Sequence, residues 1–166
     1  MSMGGHQSAA MLKDEWLTPP EILSALGSFD LDPCSPGWRR PWDTAAVHYS
    51  KAEDGLSRAW SGRVWLNPPY GREAAAWLAK LAKHGNGVAL IFARTETDMF
   101  FRQVWEKADA VLFLRGRLHF HHVDGIRAAA NAGAPSCLIA YGAENVRALQ
   151  ESGIAGQLVM LNRDKT

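Results

Sequence analysis

The tetrapeptide Asn67-Pro68-Pro69-Tyr70 constrains the fold of this chain more than any other feature. Arg63-Val64-Trp65-Leu66 before it has strand character, and two consecutive prolines cannot donate to a sheet ladder, so the strand stops at Asn67. Beyond the prolines, Ala74, Trp77, Leu78 and Leu81 recur at helical spacing within the segment from Arg72 to His84, with Gly85 as the stop. Val88 to Phe92 is then a short unbroken apolar run, the pattern of a strand covered on both faces in a parallel sheet. Strand, proline turn, helix and strand in this order belong to an α/β chain.

The remaining segments extend that alternation. Thr18-Pro19-Pro20 predicts a helix start with Thr18 as N-cap, an apolar stripe of Ile22, Leu23 and Leu26, and an end at Gly27. Phe29-Asp30-Leu31-Asp32 reads as a short strand entering the turn from Pro33 to Gly37; from there to Gly62 no period emerges. Thr97 to Ala108 predicts a second amphipathic helix, capped by Thr97 and carrying Phe100, Phe101, Val104 and Trp105. Val111 to Leu114, Leu118 to Phe120, Cys137 to Tyr141 and Leu158 to Leu161 read as strands, with a helix from Glu144 to Gln150. The expected architecture is a single α/β domain whose sheet is mostly parallel, with an antiparallel C-terminal edge. Trp60, Trp65, Trp77 and Trp105 are expected in its core.

At 166 residues, with 47% hydrophobic and 21% charged residues, the chain suits one domain, expected from residue 13 to 166. Residues 1–12 are expected to be a disordered lead-in, without the basic start and apolar centre of a secretory signal. No apolar run has the length of a membrane span, and Cys34 and Cys137 lack paired metal-ligand spacing, so reduced cytoplasmic thiols are expected. A net charge of +1 gives no general pull toward nucleic acid. Local clusters do exist at Arg39-Arg40, flanked by Trp38 and Trp42, and at Arg115 and Arg117; each suits phosphate contact or a solvated surface. His119, His121 and His122 form no metal site by pattern, because neighbours on an extended chain point to opposite faces. No metal is expected.

In open α/β sheets ligands lie beyond the carboxyl ends of the strands, where both Asp32-Pro33-Cys34-Ser35 and Asn67-Pro68-Pro69-Tyr70 fall. An isolated Asn-Pro-Pro-Tyr is also an ordinary turn, so its place in the fold matters. Its chemistry suits an amine conjugated to an aromatic ring, such as adenine N6, whose lone pair is delocalised. The Asn67 side-chain oxygen and the Pro68 carbonyl can accept the two amine hydrogens and stabilise the positive charge that grows during attack. Pro68 and Pro69 hold those acceptors rigid, and the Tyr70 ring can stack on a base turned out of a duplex.

Taken together, the sequence resembles the bacteriophage-type DNA N-6-adenine methyltransferase family, within the amino-methyltransferases that share an Asn/Asp-Pro-Pro-Tyr/Phe motif. The resemblance runs through Asp14-Glu15-Trp16-Leu17-Thr18-Pro19-Pro20, Asp32-Pro33-Cys34-Ser35, Asp54-Gly55-Leu56, Trp65 to Tyr70, Ala93-Arg94-Thr95-Glu96-Thr97 and Arg115-Gly116-Arg117-Leu118-His119-Phe120. It implies a Rossmann-like methyltransferase fold, S-adenosylmethionine as methyl donor, double-stranded DNA as partner, and a cytoplasmic place in a bacterium or a phage-infected host. By matching position, Asn67, Pro68, Pro69 and Tyr70 are catalytic. Trp16, Thr18 and Pro19 lie at the methionine end of the donor, Asp32 binds its amino group with Pro33 and Cys34 alongside, and Asp54 meets its adenine or ribose. Helix capping for Thr18, and turn capping for Asp32 and Asp54, remain the plain structural alternatives.

The sequence departs from the wider methyltransferase pattern in lacking a glycine-rich loop after the first strand and an acidic residue at the end of a second. It also carries no separate target-recognition domain. Arg39, Arg40, Arg94, Arg117 and the stretch from Arg117 to Asn131 are therefore expected to meet DNA. Cytosine N4 methylation uses the same amine chemistry, and a catalytically silent DNA-binding relative is the non-enzymatic alternative. A protein-glutamine methyltransferase shares Asn-Pro-Pro-Tyr but normally brings the glycine-rich loop and a helical N-terminal domain. No motif in the chain encodes its oligomeric state or its target sequence.

Overall fold

A computed structural model describes residues 16–37, 40–122, 124–128 and 132–161. The expected lead-in and domain boundary, together with Arg39, lie outside those residues. Seven strands appear among the described residues: β1 (Leu31–Asp32), β2 (Val47–His48), β3 (Val64–Leu66), β4 (Gly87–Phe92), β5 (Ala110–Leu114), β6 (Ser136–Tyr141) and β7 (Gly156–Met160). They form one sheet in the order β2-β1-β3-β4-β6-β5-β7. Leu31 pairs in parallel with both Val47 and Val64, and Val64 to Leu66 run in parallel register with Gly87 to Ala89. From β6 outward each pairing is antiparallel: Val88 lies opposite Ala140, and Val111 opposite both Ile139 and Val159. The expected antiparallel edge is present, and it begins directly beside β4.

The strands alternate their side chains between two apolar layers. Trp65, Val88, Leu90, Leu112 and Leu138 face one side, where Ile22, Leu23 and Leu26 of α1 (Pro20–Leu26) and Val146 and Leu149 of α4 (Ala143–Glu151) cover them. Val64, Leu66, Ile91, Val111 and Ile139 face the other, covered by Trp77, Leu78 and Leu81 of α2 (Ala74–His84) and by Phe100 and Val104. This helix-sheet-helix layering makes one mixed α/β domain. Trp65 and Trp77 are buried, while Trp60 and Trp105 pack half-buried against the second layer. At the amino end of β3, buried Arg63 donates to Asn145 Oδ1 at 2.7 Å and to the Ser28 carbonyl at 2.9 Å, tying α4 to the segment after α1.

Several local expectations need correction. Thr18 is not the cap of α1: Pro19 occupies that position without a side-chain cap bond, and the Pro19 carbonyl accepts from Ile22 N–H at 3.1 Å. Thr97 does cap its helix, accepting from Phe100 N–H at 3.2 Å. After α3 (Asp98–Phe100), however, Phe101–Trp105 widen into a π turn, closed by Glu106 N–H on the Phe101 carbonyl at 3.0 Å. Leu118 to Phe120 join no strand of the sheet, because the Leu118 and Phe120 carbonyls accept from Ala132 and Ala128 of the returning chain. Gly85 ends α2 as predicted, in the left-handed region at φ 78° with its N–H on the Leu81 carbonyl.

Candidate active site

The chain leaves β1 for β2 on one side and then returns to β3 on the other, so the strand order reverses between β1 and β3. A crevice at the carboxyl ends of these strands is the ligand position of an open α/β sheet. Asp32 is the last residue of β1, and Asn67 directly follows the last residue of β3. The two motifs singled out in the sequence therefore flank one reversal point.

Asp32 is only 3% exposed. Its Oδ1 accepts the Cys34 N–H at 3.1 Å, and its Oδ2 accepts the Thr44 hydroxyl. Burial pushes the carboxyl up to about 6, against the lowering effects of the Thr44 hydrogen bond, the Cys34 N–H and the more distant Arg40 charge. No cation among the described residues forms a salt bridge with it. Thr44 is itself fixed by His48, whose Nε2 accepts from the Thr44 and Ala45 N–H groups at 3.3 and 3.4 Å. Burial, reinforced by Arg40, lowers the His48 pKa, consistent with an accepting nitrogen.

Gly55 brings Asp54 to the same place. A Cβ on Gly55 would stand 1.9 Å from the Pro33 carbonyl oxygen, so a glycine is required for the 54–56 loop to lie against the turn after β1. Asp54 is exposed with a positive φ of 52°. Asp32, Pro33, Cys34 and Asp54 thus form one neighbourhood, held by backbone contact.

On the β3 side, Asn67 is half-buried and its Nδ2 donates to Thr18 Oγ1 at 3.4 Å. Asn67 Oδ1 receives no hydrogen bond from the described residues. Pro68 is buried beneath it, and Tyr70, 39% exposed, lies almost parallel to Phe92 with ring centroids 4.5 Å apart and an interplanar angle of 6°. Phe120 meets Tyr70 edge-on at 6.5 Å, and the Arg94 guanidinium sits 5.7 Å from the Phe92 ring centre. Trp16 packs on His122 at 5.0 Å, and Leu17 exchanges backbone hydrogen bonds with His121 at 2.8 and 2.9 Å. The Thr18-Pro19 segment, the Asn67 motif and the Phe120 segment therefore form a second neighbourhood, which includes Arg94.

Among the described residues, Arg40 and Arg117 make their contacts away from the Tyr70–Phe92 pair. Arg40 bends back to Asp43 at 3.4 Å and toward the Gly37 carbonyl, with its side chain 18% exposed, and Arg117 donates to the Gly133 carbonyl at 3.3 Å. The histidines take separate partners: His119 Nδ1 accepts from Arg127, His121 Nδ1 contacts the Gly125 carbonyl and its ring meets Trp42, and the His122 ring meets Trp16. Among the described residues no group of three or more His, Cys, Asp or Glu is placed to hold a metal ion. Sequence reasoning missed Thr44 and Phe92, and reached Phe120 only within the stretch from Arg117 to Asn131. Phe92 was recoverable, since alternation along β4 sets it on the same face as Val88 and Leu90, whereas Thr44 lies in a stretch without any period.

The family model described as DNA N-6-adenine-methyltransferase (Dam) matches residues 5–164, which include every side chain of both neighbourhoods. No curated protein and no solved structure matches the chain.

Proposed function

The chain belongs to the DNA N-6-adenine-methyltransferase family, and from that premise we propose that it methylates N6 of an adenine turned out of double-stranded DNA, using S-adenosylmethionine on a Rossmann-like fold. The observation that carries this reading is the unshared Asn67 Oδ1 at a strand end, beside the partly exposed Tyr70 ring. In the reaction, Asn67 Oδ1 and the Pro68 carbonyl accept the two hydrogens of the target amine, freeing its lone pair and stabilising the charge that grows on nitrogen. Pro69 keeps the acceptors rigid, and Tyr70, backed by Phe92, supplies a stacking face for the extruded base.

The methyl donor fits the other neighbourhood. A buried carboxylate with no salt-bridged cation among the described residues suits the ammonium group of S-adenosylmethionine, whose sulfonium supplies the methyl group. Asp32 holds that ammonium, with Pro33 and Cys34 shaping the turn around it. Asp54 meets the ribose or adenine, while Trp16, Thr18 and Pro19, which belong to the Asn67 neighbourhood, meet the methionine end where the methyl group faces the base. Arg94 stands close enough to the Tyr70–Phe92 pair to meet a phosphate beside the extruded base; Arg40 and Arg117, and by its place in the sequence Arg39, are proposed as further DNA contacts. No helix among the described residues is long and apolar enough to cross a membrane. The reaction is proposed for the cytoplasm of a bacterium or its infected host.

Incubation with labelled S-adenosylmethionine and unmodified duplex DNA, followed by digestion to nucleosides, tests the proposal. N6-methyladenine is the expected product, and N4-methylcytosine or no product on several DNA substrates overturns it. Asn67→Ala is expected to lower turnover by roughly a hundredfold or more, the scale of removing a preorganised acceptor, while donor affinity stays within about twofold.

A further inference from the structure

A carboxylate that receives an ammonium group must be ionised and must keep lone pairs free for the cation. Asp32 is buried, and burial favours its neutral form. Two hydrogen bonds work against that, the Cys34 N–H on Oδ1 at 3.1 Å and the Thr44 hydroxyl on Oδ2. The first comes from the turn that Asp32 itself begins. The second reaches in from a segment 12 residues away.

We infer that Thr44 is a positioning residue for the methyl donor: its hydroxyl holds the Asp32 carboxylate ionised and fixed for the donor's ammonium group. This rests on the reading of Asp32 given above and adds a residue outside the contacts assigned there. The direction of the bond is set by chemistry, because an ionised carboxylate has no hydrogen to give and Thr44 must donate. Thr44 is 8% exposed, and its hydroxyl forms no other hydrogen bond among the described residues. The hydroxyl is not needed to hold its own segment in place. The Thr44 and Ala45 N–H groups are taken by His48 Nε2, and the N–H groups of Ala46, Val47 and Tyr49 donate to the carbonyls of Phe29, Asp30 and Asp32 at 3.0, 2.9 and 2.9 Å. These bonds fix the segment along β1 and set the β-branched side chain, with its few rotamers, at the carboxylate before any donor arrives. Burial raises the Asp32 carboxyl to about 6, and the Thr44 bond is the foremost of the effects that keep it from rising further.

The test compares Thr44→Val, which keeps shape and removes the hydroxyl, with Thr44→Ser, which keeps the hydroxyl. Affinity for S-adenosylmethionine is read by calorimetry from about pH 5.5 to about pH 7.5, beside the melting temperature of each protein. Without the hydroxyl the carboxyl should take up its proton about one pH unit higher. Thr44→Val is therefore expected to bind roughly threefold more weakly than wild type at about pH 7.5, and that deficit to grow by roughly a further fivefold at about pH 5.5. Thr44→Ser should stay within about twofold of wild type throughout. Cys34, Arg40, Asp43, His48 and Asp54 also face this neighbourhood; neither substitution alters them, so they and the donor's own amine cancel in the ratio. Unchanged affinity in Thr44→Val, a deficit independent of pH, an equal deficit in Thr44→Ser, or a Thr44→Val chain that does not fold would each overturn the inference. An Asp32→Asn variant that binds as tightly as wild type, or a wild-type chain that binds no S-adenosylmethionine, refutes the donor reading of Asp32 and removes this inference with it.

Discussion

Asp32→Asn is expected to stabilise this protein while weakening donor binding. The carboxyl has an ordinary value of 3.8 and is pushed up to about 6 by burial. At about 1.4 kcal/mol for each tenfold change in proton affinity, keeping it charged in the fold costs about 3 kcal/mol at neutral pH. Between about pH 4 and pH 6 the folded state holds a proton that the unfolded state has released. Stability from this group is therefore present at about pH 4, falls as pH rises through about 6, and is flat above. The substituted amide would accept from Cys34 N–H and donate to a rotated Thr44 hydroxyl, so the packing survives without the charge. With roughly 2–4 °C of melting temperature per kcal/mol at this chain length, the variant should melt about 5 °C or more above wild type at about pH 8. The gap should close toward about pH 4. Scanning fluorimetry of both proteins from about pH 4 to pH 8 isolates this carboxyl, because other titrating groups cancel in the difference. Calorimetry should show donor affinity reduced by roughly tenfold or more. A difference that does not change with pH, or a variant less stable than wild type in mild alkali, would refute the electrostatic argument; unchanged donor affinity would refute the role given to Asp32.

Two further substitutions test the supports of the site. Gly55→Ala drives a methyl group into the Pro33 backbone, which cannot swing aside as a side chain would, and should lower stability by roughly 2 kcal/mol in a denaturant titration and weaken donor binding; wild-type behaviour would show that the loop is not held by that contact. Tyr70→Leu removes the face stacked on Phe92, and its DNA KM should rise by roughly tenfold while Tyr70→Phe stays near wild type. Equal effects of the two would assign the role to the hydroxyl and not to the ring.

The parts of this fold legible in the sequence are those fixed by strong local physics. Pro68 and Pro69 mark the end of β3, Gly85 marks the end of α2, and the unbroken apolar runs mark β4 and β6. The segment from Trp38 to Gly62 resisted reading because its pairing is long-range: β2 has two residues, ordered by hydrogen bonding to β1 and not by a period of its own. Thr44 is invisible for the same reason, since its partner lies 12 residues away across a turn. Thr18 shows a different failure. Its local context, a threonine before two prolines, signals a helix cap, and a tertiary bond to Asn67 claims the hydroxyl instead. Leu118 to Phe120 have strand composition, yet the returning chain takes their carbonyls before the sheet can.

The position of β6 has a consequence for how the molecule assembles. All six of its residues are buried, and it lies between β4 and β5, both of which precede it in the chain. A nascent chain that has made everything up to Leu114 still has two apolar strands that cannot join each other, each with an open edge waiting for Ser136–Tyr141. The two halves of the sheet close only when that segment arrives, so the rate of acquiring the native sheet is governed by contacts of long sequence separation. Until then the exposed edges invite pairing with other chains. A truncation before Ser136 should consequently yield an aggregating fragment, even though it contains Asp32 and the whole Asn67 motif.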